Sequence, residues 1–147
     1  MKHHAWLFGF MMLLAPIVHA AQADQIKPSH AWIRLLPANL PAGAYVTLDN
    51  QGASAAVLVS ANSAAYGSVM LHQSTSDPAG NSDMHMLDRL VVPAHGQVLL
   101  APASYHLMLQ QATHPLKPGD TVEITFDFAD GSRLAVPFLV RPANAAD

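Results

Sequence analysis

The 147-residue chain is long enough for one domain with a hydrophobic core, because 51% of its residues are hydrophobic. Only 12% are charged, the formal net charge is −3 at pH 7, and the basic residues are scattered. This composition argues against a disordered tail and against a nucleic-acid-binding protein, which needs clustered Lys and Arg. The absence of cysteine excludes disulfides and thiolate metal sites, including most structural zinc sites and the His₂Cys blue-copper centre.

Residues 1–23 have the features of a secretory signal peptide, with a basic start and an apolar run from 6 to 18. Two small-x-small triplets permit cleavage after Ala20 or Ala23. The apolar run is shorter than the roughly 20 residues that span a bilayer. We therefore expect a cleaved leader, a mature domain over 24–147 without a membrane span, and a periplasmic protein.

Short strands are predicted along the rest of the chain, separated by turns rich in Pro, Gly, Asn and Asp. The predicted strands are 30–36, 44–48, 55–60, 69–73, 84–92, 97–100, 105–110, 121–128 and 133–140. Residues 24–29 form a polar lead-in, and Asp130-Gly131 marks a hairpin between the last two strands. No segment shows a sustained 3.6-residue period, so we predict a single all-β domain, a sandwich or a barrel.

Every methionine outside the leader lies between residues 70 and 108. These methionines and two histidines form three pairs spaced two residues apart: Met70/His72, Met84/Met86 and His106/Met108. Residues i and i+2 of a strand share a face. Since Leu71 and Leu107 are expected to face the core, their neighbours in the first and third pairs are expected to face outward.

The donor types favour copper. Methionine on a strand usually fills a core and a lone histidine usually lies at the surface, so no single residue here identifies a site. Three pairs together are more specific, because neutral thioethers and imidazoles suit Cu(I), whereas calcium and magnesium prefer oxygen. Single histidines at 30, 95 and 114 are predicted to be exposed. Neither a calcium loop nor a nucleophile elbow is present, so we do not predict an enzyme.

The spacing of these donors resembles that of the periplasmic PCu(A)C copper chaperones, also called the DUF461 family. Their pattern is a histidine with an optional methionine after it, ten residues, a methionine, twenty-one residues and His-x-Met. Here His72 is followed by Gln73, ten residues, Met84, twenty-one residues and then His106-Leu107-Met108. Sequences flanking the motif are also similar, and the likeness covers roughly 30–140.

The resemblance implies a cupredoxin-like Greek-key β-sandwich that binds one Cu(I) through two histidines and two methionines. It also implies delivery of copper to a partner, such as a cytochrome c oxidase subunit or another assembly factor, by a monomeric chaperone. The family often has Met-x-Met at the middle position with the second methionine coordinating. Spacing therefore selects Met84 and the local sequence selects Met86, and both remain candidates beside His72, His106 and Met108.

Two other functions fit parts of the sequence. One is a cupredoxin-like electron-transfer protein, against which the missing cysteine argues. The other is a metal-free β-sandwich interaction module with buried methionines. A local departure from the family is also testable: its Pro-Gly-Gly turn before Tyr-His is Pro102-Ala103-Ser104 here, so this turn must avoid positive φ or be strained.

Overall fold

The computed structural model describes residues 15–16 and 18–146. Most of the predicted leader lies outside these residues. Within this described part of the chain, one four-residue helix, α1 (Gln22–Gln25), precedes ten strands. The strands are β1 (Ile26–Arg34), β2 (Ala42–Asn50), β3 (Ala56–Asn62), β4 (Tyr66–Ser76), β5 (Ser82–Met86), β6 (Leu90–Val92), β7 (Gln97–Leu100), β8 (Tyr105–Ala112), β9 (Thr121–Phe128) and β10 (Arg133–Arg141).

The ten strands form one sheet in the order β5-β4-β8-β7-β2-β1-β10-β9-β3-β6, and β8 also pairs with β2. Although β3 and β4 are far apart in this order, they contact each other, because the sheet curves back over a single hydrophobic core. The predicted all-β, single-domain fold is confirmed. No helix within the described part of the chain is long and apolar enough to cross a membrane.

The predicted strands agree with the structure where alternation is clean, and β7 and β9 have the predicted bounds. The single strand predicted over 84–92 is wrong: β5 and β6 share that segment and lie at opposite ends of the sheet. The polar lead-in predicted over 24–29 is also wrong, since this segment contains the end of α1 and the start of β1. Pairing with β2 extends β1 back to Ile26, across an irregularity between Ser29 and Trp32.

Alternation along the strands divides the core from the outer face of the sheet. In β9 the alternating apolar residues from Val122 to Phe128 are buried, and the Phe126 and Phe138 rings lie 6.3 Å apart in the core. Fully burying one such side chain contributes about 1.5–3 kcal/mol. In β4 and β8 the buried aliphatic residues are Leu71, Leu107 and Leu109. Their neighbours in sequence are thereby directed to the outer face.

Candidate metal centre

The register of β4 and β8 places the predicted donors side by side. His72 lies directly opposite His106, and Met70 lies directly opposite Met108. The two imidazole rings are 5.7 Å apart between centroids and inclined at 59°. Because directly opposed residues of an antiparallel pair share a face, all four side chains belong to the same outer surface.

Strand β5 adds the remaining two methionines to this surface. Met86 lies opposite His72, and Met84 lies opposite Ser74, two residues farther along β4. Both side chains are exposed, Met84 by 47% and Met86 by 68%. His85 lies on the other face of β5, where its Nε2 is 3.5 Å from an oxygen of Asp83.

The donors therefore form two adjacent rows across the sheet. The first row contains Met86, His72 and His106, and the second contains Met70 and Met108. Met84 is the donor farthest from the second row. Histidines 30, 95 and 114, predicted to be exposed, are exposed and take no part in the rows.

His106 is held in one tautomer by the turn that precedes β8. Its Nδ1 lies 3.0 Å from the carbonyl oxygen of Ser104. Since a carbonyl oxygen can only accept, Nδ1 must carry the proton, which leaves the lone pair on Nε2. The side chain is only 6% exposed although it points away from the core. His106 is thus an oriented and largely desolvated nitrogen donor.

The turn that orients His106 contains a residue with a strained backbone conformation. The Ser104 N–H donates to the Ala101 carbonyl, and Ala103 adopts a φ of +63°. An alanine in this left-handed region costs about 1–2 kcal/mol. The sequence left two possibilities for this turn without glycine, a backbone that avoids positive φ or a strained residue, and the structure shows the strained residue.

His72 carries two buried ring nitrogens, and neither has a hydrogen-bond partner among the described residues. Leaving a buried polar atom unpaired costs about 1–3 kcal/mol. Burial lowers the pKa of His72, and the neighbouring His106 lowers it further. The imidazole is therefore held neutral, with a lone pair available for a ligand.

Met108 contacts Gln110 on its own strand and lies opposite Gly43 of β2. The Gln110 amide donates to the Met108 sulfur over 3.7 Å. On β2, Gly43 lies opposite Met108, and a Cβ added at Gly43 would come 2.6 Å from the Tyr45 hydroxyl oxygen. A side chain at this position would force the Tyr45 phenol to move, because the phenol lies over the backbone of Gly43. The Tyr45 ring in turn packs against Trp32, with centroids 4.7 Å apart.

Sequence reasoning missed Tyr45, Trp32 and Gly43. Alternation in β2, where Ala44 and Val46 are buried, places Tyr45 on the outer face. No local pattern gives the register between β2 and β8, so the sequence did not indicate that this tyrosine lies beside the donors.

The chemistry of this surface is soft and uncharged. It brings together two imidazoles and four thioethers, with no carboxylate among them. Within the described residues, no group of three His, Cys, Asp or Glu side chains could hold a metal ion. A metal held here would therefore need thioether ligands, which soft cations accept.

Sequence comparison identifies the family. A family model described as "Putative lipoprotein LpqE-like" matches residues 26–140. A curated relative named "Putative lipoprotein" from Leifsonia xyli subsp. xyli (strain CTCB07) is 29% identical over 126 residues, which cover 86% of this chain and 75% of the relative.

Structure comparison gives similar folds. The solution structure of CuI-DR1885 from Deinococcus radiodurans is 33% identical, with a TM-score of 0.65, covering 82% of this chain and 81% of that one. The copper-bound PCuAC domain from PmoF2 has a TM-score of 0.68, is 23% identical, and covers 85% of this chain and 99% of its own. At that identity the second likeness supports the fold alone. Since the family model covers most of the sequence, the chain belongs to the LpqE-like family.

Proposed function

We propose that the protein is a periplasmic Cu(I) carrier that binds one copper ion through His72, His106, Met108 and a methionine of β5. It passes the ion to a copper-accepting protein, such as a cytochrome c oxidase subunit or another assembly factor. The structure of CuI-DR1885, which is 33% identical and was solved with copper, supports the choice of metal. The protein acts by holding and releasing an ion, and no catalytic step is assigned to it.

The observation that carries this proposal is His72. Both of its ring nitrogens are buried without a hydrogen-bond partner in the part of the chain that the structure describes, and the residue lies between His106 and Met86. A buried imidazole normally satisfies at least one nitrogen. A metal ion bound by His72 and its neighbours in the row would remove the cost of that unpaired atom.

The donor set also explains how copper could be released. Thioethers and neutral imidazoles carry no charge, so a bound Cu(I) keeps its single positive charge. Neutral ligands need no proton when the metal leaves, in contrast to thiolates. Thioethers cannot form disulfides, so the donors would persist in an oxidising compartment, although methionine can be oxidised to the sulfoxide.

The register favours Met86 over Met84 as the principal thioether of β5. Met86 lies directly opposite His72, whereas Met84 lies opposite Ser74 and outside the two rows. This choice differs from the one that motif spacing alone makes. Met84 then becomes a more distant donor on the same face.

Anaerobic Cu(I) titration followed by X-ray absorption tests the proposal. We expect one copper per chain with both sulfur and nitrogen in the first shell. His95→Ala is a suitable control, because His95 is exposed and outside the site, and it should bind as wild type does. A shell of nitrogen and oxygen only would contradict the proposal. An intense visible band with Cu(II) would favour electron transfer, and no binding would favour a metal-free interaction module.

We also propose that the exported chain is cleaved after Ala20, because the residues that follow are part of the folded domain. The backbone N–H groups of Gln22 and Ala23 donate to the side chains of Asp130 and Ser132, over 2.8 and 2.9 Å. Ala23 is buried in the core. Cleavage after Ala23 would remove all of these contacts.

The mass of the protein recovered from the periplasm decides between the two sites. A chain that starts at Ala21 agrees with the proposal, and one that starts at Asp24 contradicts it. Retention of residues 1–20 would contradict cleavage altogether.

A further inference from the structure

The two rows of donors continue beyond β8 into the neighbouring strands. On β2, Tyr45 pairs with Trp32 of β1, and Gly43 pairs with Arg34. Gly43 also pairs with Met108 on its other side. The outer surface thus runs without interruption from the thioethers on β5 to an aromatic pair on β2 and β1.

The β2 side of the donor surface is closed. Tyr45 is 8% exposed and Trp32 is 4% exposed, although both lie on the outer face. The phenol covers Gly43 and so occupies the space beside Met108. The buried aromatic pair therefore takes up the outer face of β2 and β1 next to the donors.

The closed side also carries positive charge. The Arg34 guanidinium lies 5.3 Å from the centre of the Trp32 ring and 5.5 Å from that of Tyr45. The Arg141 guanidinium lies 5.0 Å from the Trp32 ring. Stacking on aromatic faces holds both cations in place. Their charge repels a second cation such as Cu(I).

The β5 side is open. Among the described strands β5 pairs only with β4, and it ends the strand order. Its two methionines are the exposed members of the donor set. The charged residues near them are Asp83, Asp88 and Arg89, all exposed, so this side is not dominated by positive charge.

We propose that Tyr45 is a positioning residue that closes the metal site towards β2, so that copper enters and leaves only across β5. An acceptor would then approach over Met84 and Met86 and present a soft donor, a thiolate or a thioether. This inference rests on the proposed function, because it describes access to the same site. It assigns Met84 the role of the outermost donor on the exchange path.

Stopped-flow transfer of Cu(I) to and from the chelator bicinchoninate tests the inference. In Tyr45→Ala a second approach opens, so the association and dissociation rates should both rise about tenfold, equal to ~1.4 kcal/mol of barrier, with Kd unchanged. Tyr45→Phe keeps the ring, so its rates should lie closer to those of wild type than the rates of Tyr45→Ala do. Thr47→Ala, two residues along the same face of β2, is the matched control and should match wild type.

If Tyr45 closes the site, both rates should rise equally in Tyr45→Ala. If the substitution only loosens the packing, the dissociation rate alone should rise and Cu(I) should bind more weakly. A rise in the dissociation rate alone, or no change in either rate, would overturn the inference. If Tyr45→Ala does not fold, Met84→Leu decides: slower association with Cu(I) supports the β5 path, and an unchanged association rate rejects it. Failure of the wild type to bind Cu(I) would instead reject the proposed function itself.

Discussion

Two antiparallel strand pairs, β9–β10 and β4–β8, use the same backbone pattern for different purposes. Both bury alternate apolar residues in one core. The outer face of β9–β10 carries charged side chains, including a half-buried Asp127 and an exposed Arg133 that lie 2.8 Å apart. The outer face of β4–β8 carries imidazoles and thioethers instead.

The difference teaches that folding and function are divided between the two faces of one sheet. Inward residues of both pairs supply the burial that stabilises the fold. The outward residues of β9–β10 contribute less, because an ion pair with an exposed partner such as Arg133 is worth at most about 1 kcal/mol. The outward residues of β4–β8 are free to serve chemistry. Substitutions on the two faces should therefore affect stability and copper binding separately.

The largest effect on stability is expected from the core face. Phe126→Ala should lower the free energy of unfolding by about 3–5 kcal/mol, since it removes a fully buried ring from contact with Phe138. Chemical denaturation measures this change. Below the unfolding transition the variant should still bind Cu(I) as wild type does. Lost binding in the folded variant would show that the two faces are coupled.

Substitutions on the outer face should affect copper binding while leaving stability largely unchanged. The double variant His106→Ala/Met108→Ala should weaken Cu(I) binding by more than about 100-fold, because outer-sphere changes alone cost 10- to 100-fold. Competition against a Cu(I) chelator measures the affinity. Glu123→Ala/Thr125→Ala, spaced identically on the outer face of β9, is the matched control. Equal binding by the two double variants would reject the donor assignment.

A smaller loss of Cu(I) affinity should show which of the two methionines of β5 is the principal ligand. Met86→Leu keeps the side-chain volume but removes the sulfur opposite His72, so it should weaken the equilibrium affinity about tenfold, or ~1.4 kcal/mol. Met84→Leu should change the affinity less. Both are measured by the same chelator competition. A larger loss in Met84→Leu would favour the motif spacing over the register.

The smallest effect concerns the turn that orients His106. Ala103→Gly should raise the free energy of unfolding by about 0.5–1 kcal/mol, because glycine adopts a φ of +63° without steric cost but loses more chain entropy. Thermal unfolding measures it. Ala79→Gly in the exposed β4–β5 connection, where φ is not positive, is the control and should not stabilise. Destabilisation by Ala103→Gly would indicate that the alanine methyl has a packing role.

Much of this protein could be predicted from local pattern. The alternation in β9 predicted its bounds, and the i, i+2 pairs identified outward donors on β4 and β8. The prediction for segment 84–92 failed, because β5 and β6 pair with different strands, β4 and β3, at opposite ends of the strand order. Pairing with distant strands is not encoded in a short window.

The sequence by itself determined the donor types, their outward direction and the absence of thiolates, since these depend on residue identity and the two-residue period of a strand. Only the tertiary structure decided which donors are neighbours. Register placed His72 between His106 and Met86 and brought Tyr45 beside Met108. Register is set by the packing of whole strands against one core, so it becomes defined only when the chain folds.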